Sequence, residues 1–220
     1  MKEDKIELMA EFFDKRIDHY DGHMLNVIPD AINFYKAVSK PINKTGKNLE
    51  ILDLGSGTGL EIEYMFVKAP NAKIYCVDLS KQMLNKLKEK HSSRLKNLKL
   101  LNESYLKYKF KKEKFDYIVS VETMHHLTFE SKLKLYGKIK KSLKKSGCYI
   151  EGDFFVDNLK EKKLLDKYLT LKKANPKITD GRFHIDIPLS LFTQKKVLKK
   201  AGFESVSIVW NKSAAVIVAK

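Results

Sequence analysis

Residues Leu49-Glu-Ile-Leu-Asp-Leu-Gly-Ser-Gly-Thr-Gly-Leu60 decide the fold. Leu49, Ile51, Leu52 and Leu54 form a short apolar run with the look of a buried strand. The run enters three glycines spaced by two, Gly55, Gly57 and Gly59, and then Leu60 to Phe66, which reads as a helix. Strand, glycine bend and helix make a pocket of the nucleotide type. Glycine permits left-handed backbone angles and lets a ligand approach with no Cβ in the way. The first amides of the helix then point at the ligand as donors.

The spacing and charge of the bend narrow the choice of ligand. A dinucleotide fingerprint is G-x-G-x-x-G, closing on a pyrophosphate. Here the third glycine arrives one residue early, and Leu60 holds the position of the last glycine. Asp53, two residues before the first glycine, would repel a pyrophosphate and attract a cation. The run Asp53-Leu-Gly-Ser-Gly-Thr-Gly59 resembles the first motif of class I S-adenosylmethionine-dependent methyltransferases. That cofactor carries an ammonium and a sulfonium and no phosphate. The resemblance implies that Asp53, Gly55, Ser56, Gly57 and Gly59 bind it.

Lys73 to Asp78 reads as a second strand ending in a carboxylate, followed by Ser80 as a helix cap and a helix from Gln82 to Lys90. A carboxylate at that strand tip accepts both hydroxyls of a ribose. Val77-Asp-Leu-Ser-Lys-Gln-Met-Leu84 resembles the second motif of the same family, which gives Asp78 the ribose and places Leu79 beside the cofactor. A third strand covers Leu98 to Asn102. Family members often carry an acidic adenine contact just beyond it; here Ser104 stands there, a departure, with Glu103 before it and Tyr105 after. The fourth strand is Lys114 to Val121, and Phe115-Asp-Tyr-Ile-Val-Ser120 followed by His125-His-Leu127 resembles the fourth motif. The resemblance implies cofactor contacts at Ser104, Tyr105 and Ser120, and substrate-facing groups from Glu122 onward.

The rest of the chain alternates in the same way. A helix from Glu130 to Lys145, stopped by Gly147, leads to a fifth strand from Cys148 to Val156. Leu159 to Ala174 is an amphipathic helix, and Ser190 caps another that runs to Lys200. Strands at Val206–Trp210 and Ala214–Ala219 close the chain as a hairpin. Helices alternating with strands predict an α/β fold, a parallel sheet with helices on both faces. The resemblance implies a Rossmann-like seven-stranded methyltransferase sheet, whose antiparallel last strand the closing hairpin matches. Ligands of such sheets bind at the carboxyl ends of the strands.

Two helices precede the first strand, one over residues 5–20 ended by Gly22 and one from Met24 to Val38 with Pro29 in its first turn. The domain expectation is an N-terminal helical cap over 1–45 and a methyltransferase domain over 46–220, with 157–189 as a substrate-side insertion. By resemblance, Tyr20 closes over the methionine end of the cofactor. The insertion gathers Arg182, His184 and Asp186 around Phe183, mixed chemistry that a connector does not need. Arg182, Asp186 and Glu122 are therefore candidate substrate contacts. Where an acceptor must lose a proton, histidine suits the task near neutral pH. His125, His126 and His184 are the candidate bases.

Composition bounds the function further. The chain has 220 residues, 43 lysines and arginines against 27 acidic residues, and a net charge of +16. Such a charge suits nucleic acid. Only Arg16, Arg94 and Arg182 are arginines, however, and arginine is the residue that reads phosphates and bases with a two-pronged grip. Nucleic acid is thus not the expected partner, and a small-molecule methyl acceptor is. An RNA methyltransferase and a non-catalytic S-adenosylmethionine-binding protein are the alternatives. Cys76 and Cys148 have no metal-ligand spacing, and no metal is expected. No apolar stretch reaches membrane-spanning length, the start Met1-Lys-Glu-Asp-Lys5 is too charged for a signal peptide, and a cytoplasmic monomer or homodimer is expected.

Overall fold

A computed structural model describes residues 6–220. Seven strands form one sheet: β1 (Glu50–Leu54), β2 (Lys73–Asp78), β3 (Leu98–Asn102), β4 (Phe115–Val121), β5 (Leu143–Phe154), β6 (Val206–Asn211) and β7 (Ala214–Ala219). Their order is β3-β2-β1-β4-β5-β7-β6. The first five run parallel, and β7 lies antiparallel between β5 and β6. The order reverses direction between β1 and β4, so their carboxyl ends diverge into a crevice.

Side-chain alternation assigns the two faces of the sheet. Ile51, Ile74, Cys76, Val119, Ile150 and Val216 pack beneath α3 (Ala31–Ser39), α4 (Ile62–Lys68) and α5 (Lys81–Lys90). Leu52, Leu54, Val77, Ile118, Tyr149 and Ile217 pack beneath α6 (Phe129–Ser142) and α8 (Leu191–Lys200). Both cysteines are buried and unpaired. No helix among the described residues is long and apolar enough to cross a membrane.

Two expectations about local structure need correction. The segment before the sheet contains three helices rather than two: α1 (Met9–Asp14), α2 (Tyr20–Val27) and α3, with a short 3-10 turn at Ile17–His19. Arg16 donates from its guanidinium to the Phe12 carbonyl at 2.7 Å, while its own amide turns to Phe13. That competition tightens the turn and ends α1. Gly22 lies inside α2, and the real break comes at Ile28-Pro29, where the residue before proline is pushed out of the helical region.

The second correction concerns α6, which ends at Ser142 rather than Lys145. Glu113 and Lys114 donate their amides to the carbonyls of Lys141 and Ser142, at 3.0 and 2.9 Å. The last turn is thereby captured, and Leu143 pairs with Phe115 at the start of a twelve-residue β5. Gly147 is not a helix stop. A Cβ there would lie 2.8 Å from the Asp116 carbonyl oxygen, so the glycine is needed where β5 passes closely beside β4.

Candidate active site

The glycine bend is held open by backbone angles that side chains resist. Gly55, Gly57 and Gly59 have φ of 72°, 51° and 73°. A Cβ on Gly55 would strike Thr123, and one on Gly59 would strike Ile62 and Leu87. On Gly57 it would meet nothing closer than Tyr20 at 3.9 Å, so this glycine faces open space.

Beneath the bend, Asp53 is fully buried, and neither carboxylate oxygen has a hydrogen-bond partner among the described residues. The Ser56 hydroxyl is in the same condition. Glu61, buried at the start of the following helix, lines the recess with Ser56 and Thr58. Burial, and then the Glu61 charge, push the Asp53 carboxyl well above its usual range, and burial raises Glu61 as well. A buried pair of acids, with both oxygens of Asp53 unpartnered, suits a cation. Sequence reasoning missed Glu61, although its place two residues after Gly59 was a signal.

Asp78 accepts from Gly57 N and Ser80 N, both at 2.8 Å. Each oxygen keeps a lone pair for another donor. Burial raises this carboxyl to about 6, while the two amides act in the opposite direction. Only the ionised form is acceptor-only. A ligand that donates two hydroxyls to it should therefore bind more weakly as pH falls through about 6, by roughly tenfold per unit below it. Titration calorimetry from pH 5 to 8 checks this, and the step near 6 should disappear in Asp78→Asn.

The N-terminal segment is latched over the bend. The Ser80 hydroxyl donates to Asp14, and the Thr58 hydroxyl donates to Asp21, which is also paired with Lys90. These latches place Tyr20 over Gly57 and leave a narrow crevice of about 50 Å³. Tyr20, Gly55, Gly57, Asp78, Leu79 and Tyr105 line it, together with Met83, which the sequence did not single out.

A larger chamber of about 740 Å³ opens beside the crevice, with Phe12, Phe13, Met24 and Phe154 in its walls. Its floor is made by three segments. Glu122 ends β4 at a φ of 49°, a left-handed angle for a residue with a side chain, and donates its amide to Gly152 O at 2.8 Å. Glu122 borders the chamber, the crevice and the recess of the glycine bend alike. Burial, and then the charge of Asp153, raise its carboxyl to about 8.

His125 and His126 occupy a 3-10 turn at Met124–His126. The His125 ring bonds through Nδ1 to Asp153 Oδ1 at 2.7 Å, and its amide donates to Asp153 Oδ2 at 3.0 Å. Nε2 is thereby left toward Asp186, 3.8 Å away. Burial acts against protonation of His125, but Asp153 and Glu122 outweigh it and raise the pKa, while Asp153 itself is lowered. His126 is pushed down to about 4 by burial and by its neighbour His125.

The insertion completes the floor. It follows α7 (Asn158–Ala174), and its backbone is stitched to the turn by bonds from Gly181 N to His126 O and from Ile187 N to His125 O. Asp180 accepts from both the amide and the hydroxyl of Thr128. His184 stacks on Phe12 with ring centres 3.4 Å apart, and Asp186 Oδ1 lies 3.2 Å from His126 Nδ1. Burial resists ionisation of Asp186, yet His126 and His125 hold its carboxyl down at about 2.

Six of the sequence candidates thus meet in the chamber: Tyr20, Glu122, His125, His126, His184 and Asp186. Four others line none of these cavities: Asp53, sealed beneath the bend, and Ser104, Ser120 and Arg182. Ser104 spends its hydroxyl on the Leu106 amide at 3.3 Å, and Ser120 is buried against the Tyr149 hydroxyl at 2.6 Å. Arg182 is exposed, with its guanidinium over the Phe183 ring. Glu151 and Asp153, two residues apart on β5, serve different neighbours. Glu151 bonds to Tyr136 and Gln194 in the core, whereas Asp153 serves His125. Two groups in the floor have metal-ligating types within 4.8 Å of one another, His125 with His126 and Asp186, and Glu122 with His125 and Asp153.

Comparison with known proteins agrees with this architecture. Residues 51–147 match a family described as "Methyltransferase domain". The chain is 26% identical to the carboxy-S-adenosyl-L-methionine synthase of Nautilia profundicola, covering 94% of this chain and 98% of that protein. It is 31% identical to malonyl-[acyl-carrier protein] O-methyltransferase 2 of Ilyobacter polytropus, over 67% of this chain and 52% of that one. Among solved structures, a DhpI-SAM-HEP complex superposes with a TM-score of 0.68 at 14% identity, covering 96% of this chain and 94% of that one. Motifs, sheet order and family match agree: residues 51–147 carry a methyltransferase domain, on a sheet with the architecture of the class I S-adenosylmethionine-dependent methyltransferases, whose cofactor is S-adenosyl-L-methionine.

Proposed function

We propose that the enzyme transfers the methyl group to a small molecule held in the aromatic-walled chamber. Glu122 carries this reading. It alone among the site carboxylates borders the chamber, the crevice and the recess of the glycine bend, so the two ligands would meet beside it.

The residues present suit the cofactor. The unpartnered oxygens of Asp53, with Glu61 beside them, suit its ammonium, and Ser56 adds a free hydroxyl. Asp78 retains acceptor capacity for the ribose hydroxyls. Leu79, Met83 and Tyr105 supply apolar walls for the base, and Tyr20 covers Gly57. In this reading residues 6–45 act as the cap and 157–189 as the acceptor-side insertion on a domain over 46–220; residues 1–5 lie outside the described structure.

When bound, the cofactor supplies a methyl carbon on a sulfonium, an electrophile with a neutral leaving group. The protein must orient the acceptor in line with it and, for a hydroxyl or thiol, remove a proton. His125 has the arrangement for this. Asp153 fixes Nδ1 as the donor nitrogen, so Nε2 presents its lone pair to the chamber and takes the acceptor's proton. His126 and Asp186 flank that nitrogen, and Phe12, Phe13 and Phe154 exclude water.

A second reading rests on one observation, the end-to-end match to a carboxy-S-adenosyl-L-methionine synthase. One experiment separates the readings. The protein is incubated with methyl-labelled S-adenosylmethionine and cell extract divided into metabolites and RNA. We expect label in a metabolite together with S-adenosylhomocysteine. Label in RNA favours an RNA methyltransferase, a carboxylated cofactor without S-adenosylhomocysteine favours the synthase, and no product at all leaves a binding protein.

A further inference from the structure

Five of the chain's six histidines border the chamber, more than a base and a substrate contact require. Three lie together, with ring centres 4.0 Å apart for His125 and His126 and 5.0 Å apart for His126 and His184. Asp186 Oδ1 stands between the first two, 3.8 Å from His125 Nε2 and 3.2 Å from His126 Nδ1. Ligands about 2.0–2.2 Å from one tetrahedral ion are separated by roughly 3.4 Å. Two imidazoles and a carboxylate at this spacing match the donor set of a zinc-type ion.

A second observation comes from behind the ring. Metal-bound histidines commonly donate their other N–H to a carboxylate, which fixes the tautomer and the ring plane. Asp153 holds His125 in that manner through Nδ1 at 2.7 Å and anchors the backbone of the same residue. The ligating groups also come from two separate segments stitched together by backbone bonds, so the spacing is built into the fold.

We infer that the chamber floor binds one divalent transition-metal ion of the zinc type through His125 Nε2, His126 Nδ1 and Asp186 Oδ1. The site goes beyond methyl transfer, and only its consequence rests on the proposed base. An ion on Nε2 takes the lone pair that would accept the acceptor's proton, so the loaded protein is blocked at that step. The bond formed is a coordinate bond from each ligand, with no oxidation or reduction. His126 carries its proton on Nε2 when Nδ1 is bound.

Cobalt(II) is the probe, titrated into the full chain and followed by its visible absorption, with zinc added afterwards. We expect one equivalent to give the intense bands of four-coordinate cobalt, and zinc to bleach them. His126→Ala and Asp186→Asn should each abolish the bands, and Asp153→Asn should weaken cobalt binding roughly 10- to 100-fold. An unchanged circular dichroism spectrum and melting temperature show that the variants are folded. No saturable absorption, or equal binding in the ligand variants, overturns the site. Cobalt bands in a protein that methylates nothing would retain the site and remove the base reading. Label transfer unaffected by stoichiometric zinc would overturn the blocked state.

Discussion

His125→Ala should lower turnover about 10²–10⁴-fold and leave the affinity for S-adenosylhomocysteine unchanged, the range by which a positioned acid or base accelerates proton transfer. The argument is geometric. His125 is the only candidate histidine with one ring nitrogen on a buried carboxylate and the other beside the chamber, within 4 Å of a second carboxylate. His126 has its Nδ1 against Asp186 and the Ile185 carbonyl, and His184 is spent in stacking on Phe12. His184→Ala should consequently change the Michaelis constant for the acceptor more than the turnover. Steady-state rates with the identified acceptor, together with calorimetry on each variant, check the split. A His125→Ala enzyme with full turnover would remove the base from the mechanism and leave positioning as the source of the rate.

Asp78→Ala should have the largest effect on the cofactor itself. Losing the carboxylate leaves the Gly57 and Ser80 amides without their acceptor and, in the proposed reading, strips two ribose hydroxyls of theirs. A buried donor or acceptor left without its partner costs about 1–3 kcal/mol, which corresponds to roughly 5- to 150-fold in dissociation constant. The melting temperature of the ligand-free protein separates this loss from unfolding. Binding unchanged in a folded variant would move the ribose away from the tip of β2. Asp78→Asn should fall between the two, because one oxygen remains as an acceptor.

Much of the fold was legible because the signals were local and reinforced one another. The apolar runs of β1, β2 and β4 are bounded by carboxylates or glycines, and the order of motifs fixes which tips are neighbours. Helix ends were harder to read, since they depend on distant partners. Nothing near Ser142 announces that residues 113–114 will capture its last turn, and nothing in Gly147 tells a helix stop from a close approach to β4. The site divided along the same line. Asp53, Asp78 and the glycine bend are contiguous with their strands, and the sequence placed them. The acceptor floor was only half visible. The pairing of His125 with Asp153 spans 28 residues, and that of His126 with Asp186 joins a turn to an insertion through stitching that no periodicity encodes. Ser120 and Ser104 show what a motif position cannot reveal: their hydroxyls bond to Tyr149 and to the Leu106 amide of the protein itself.

The central claim is that the bend, Asp53, Glu61 and Asp78 grip a cationic nucleoside rather than a pyrophosphate. Calorimetry of the purified chain against S-adenosylmethionine, S-adenosylhomocysteine and NAD tests it most directly. The account predicts one equivalent bound for each of the first two and no heat from NAD. Saturable binding of NAD alone, or silence toward all three, would contradict it.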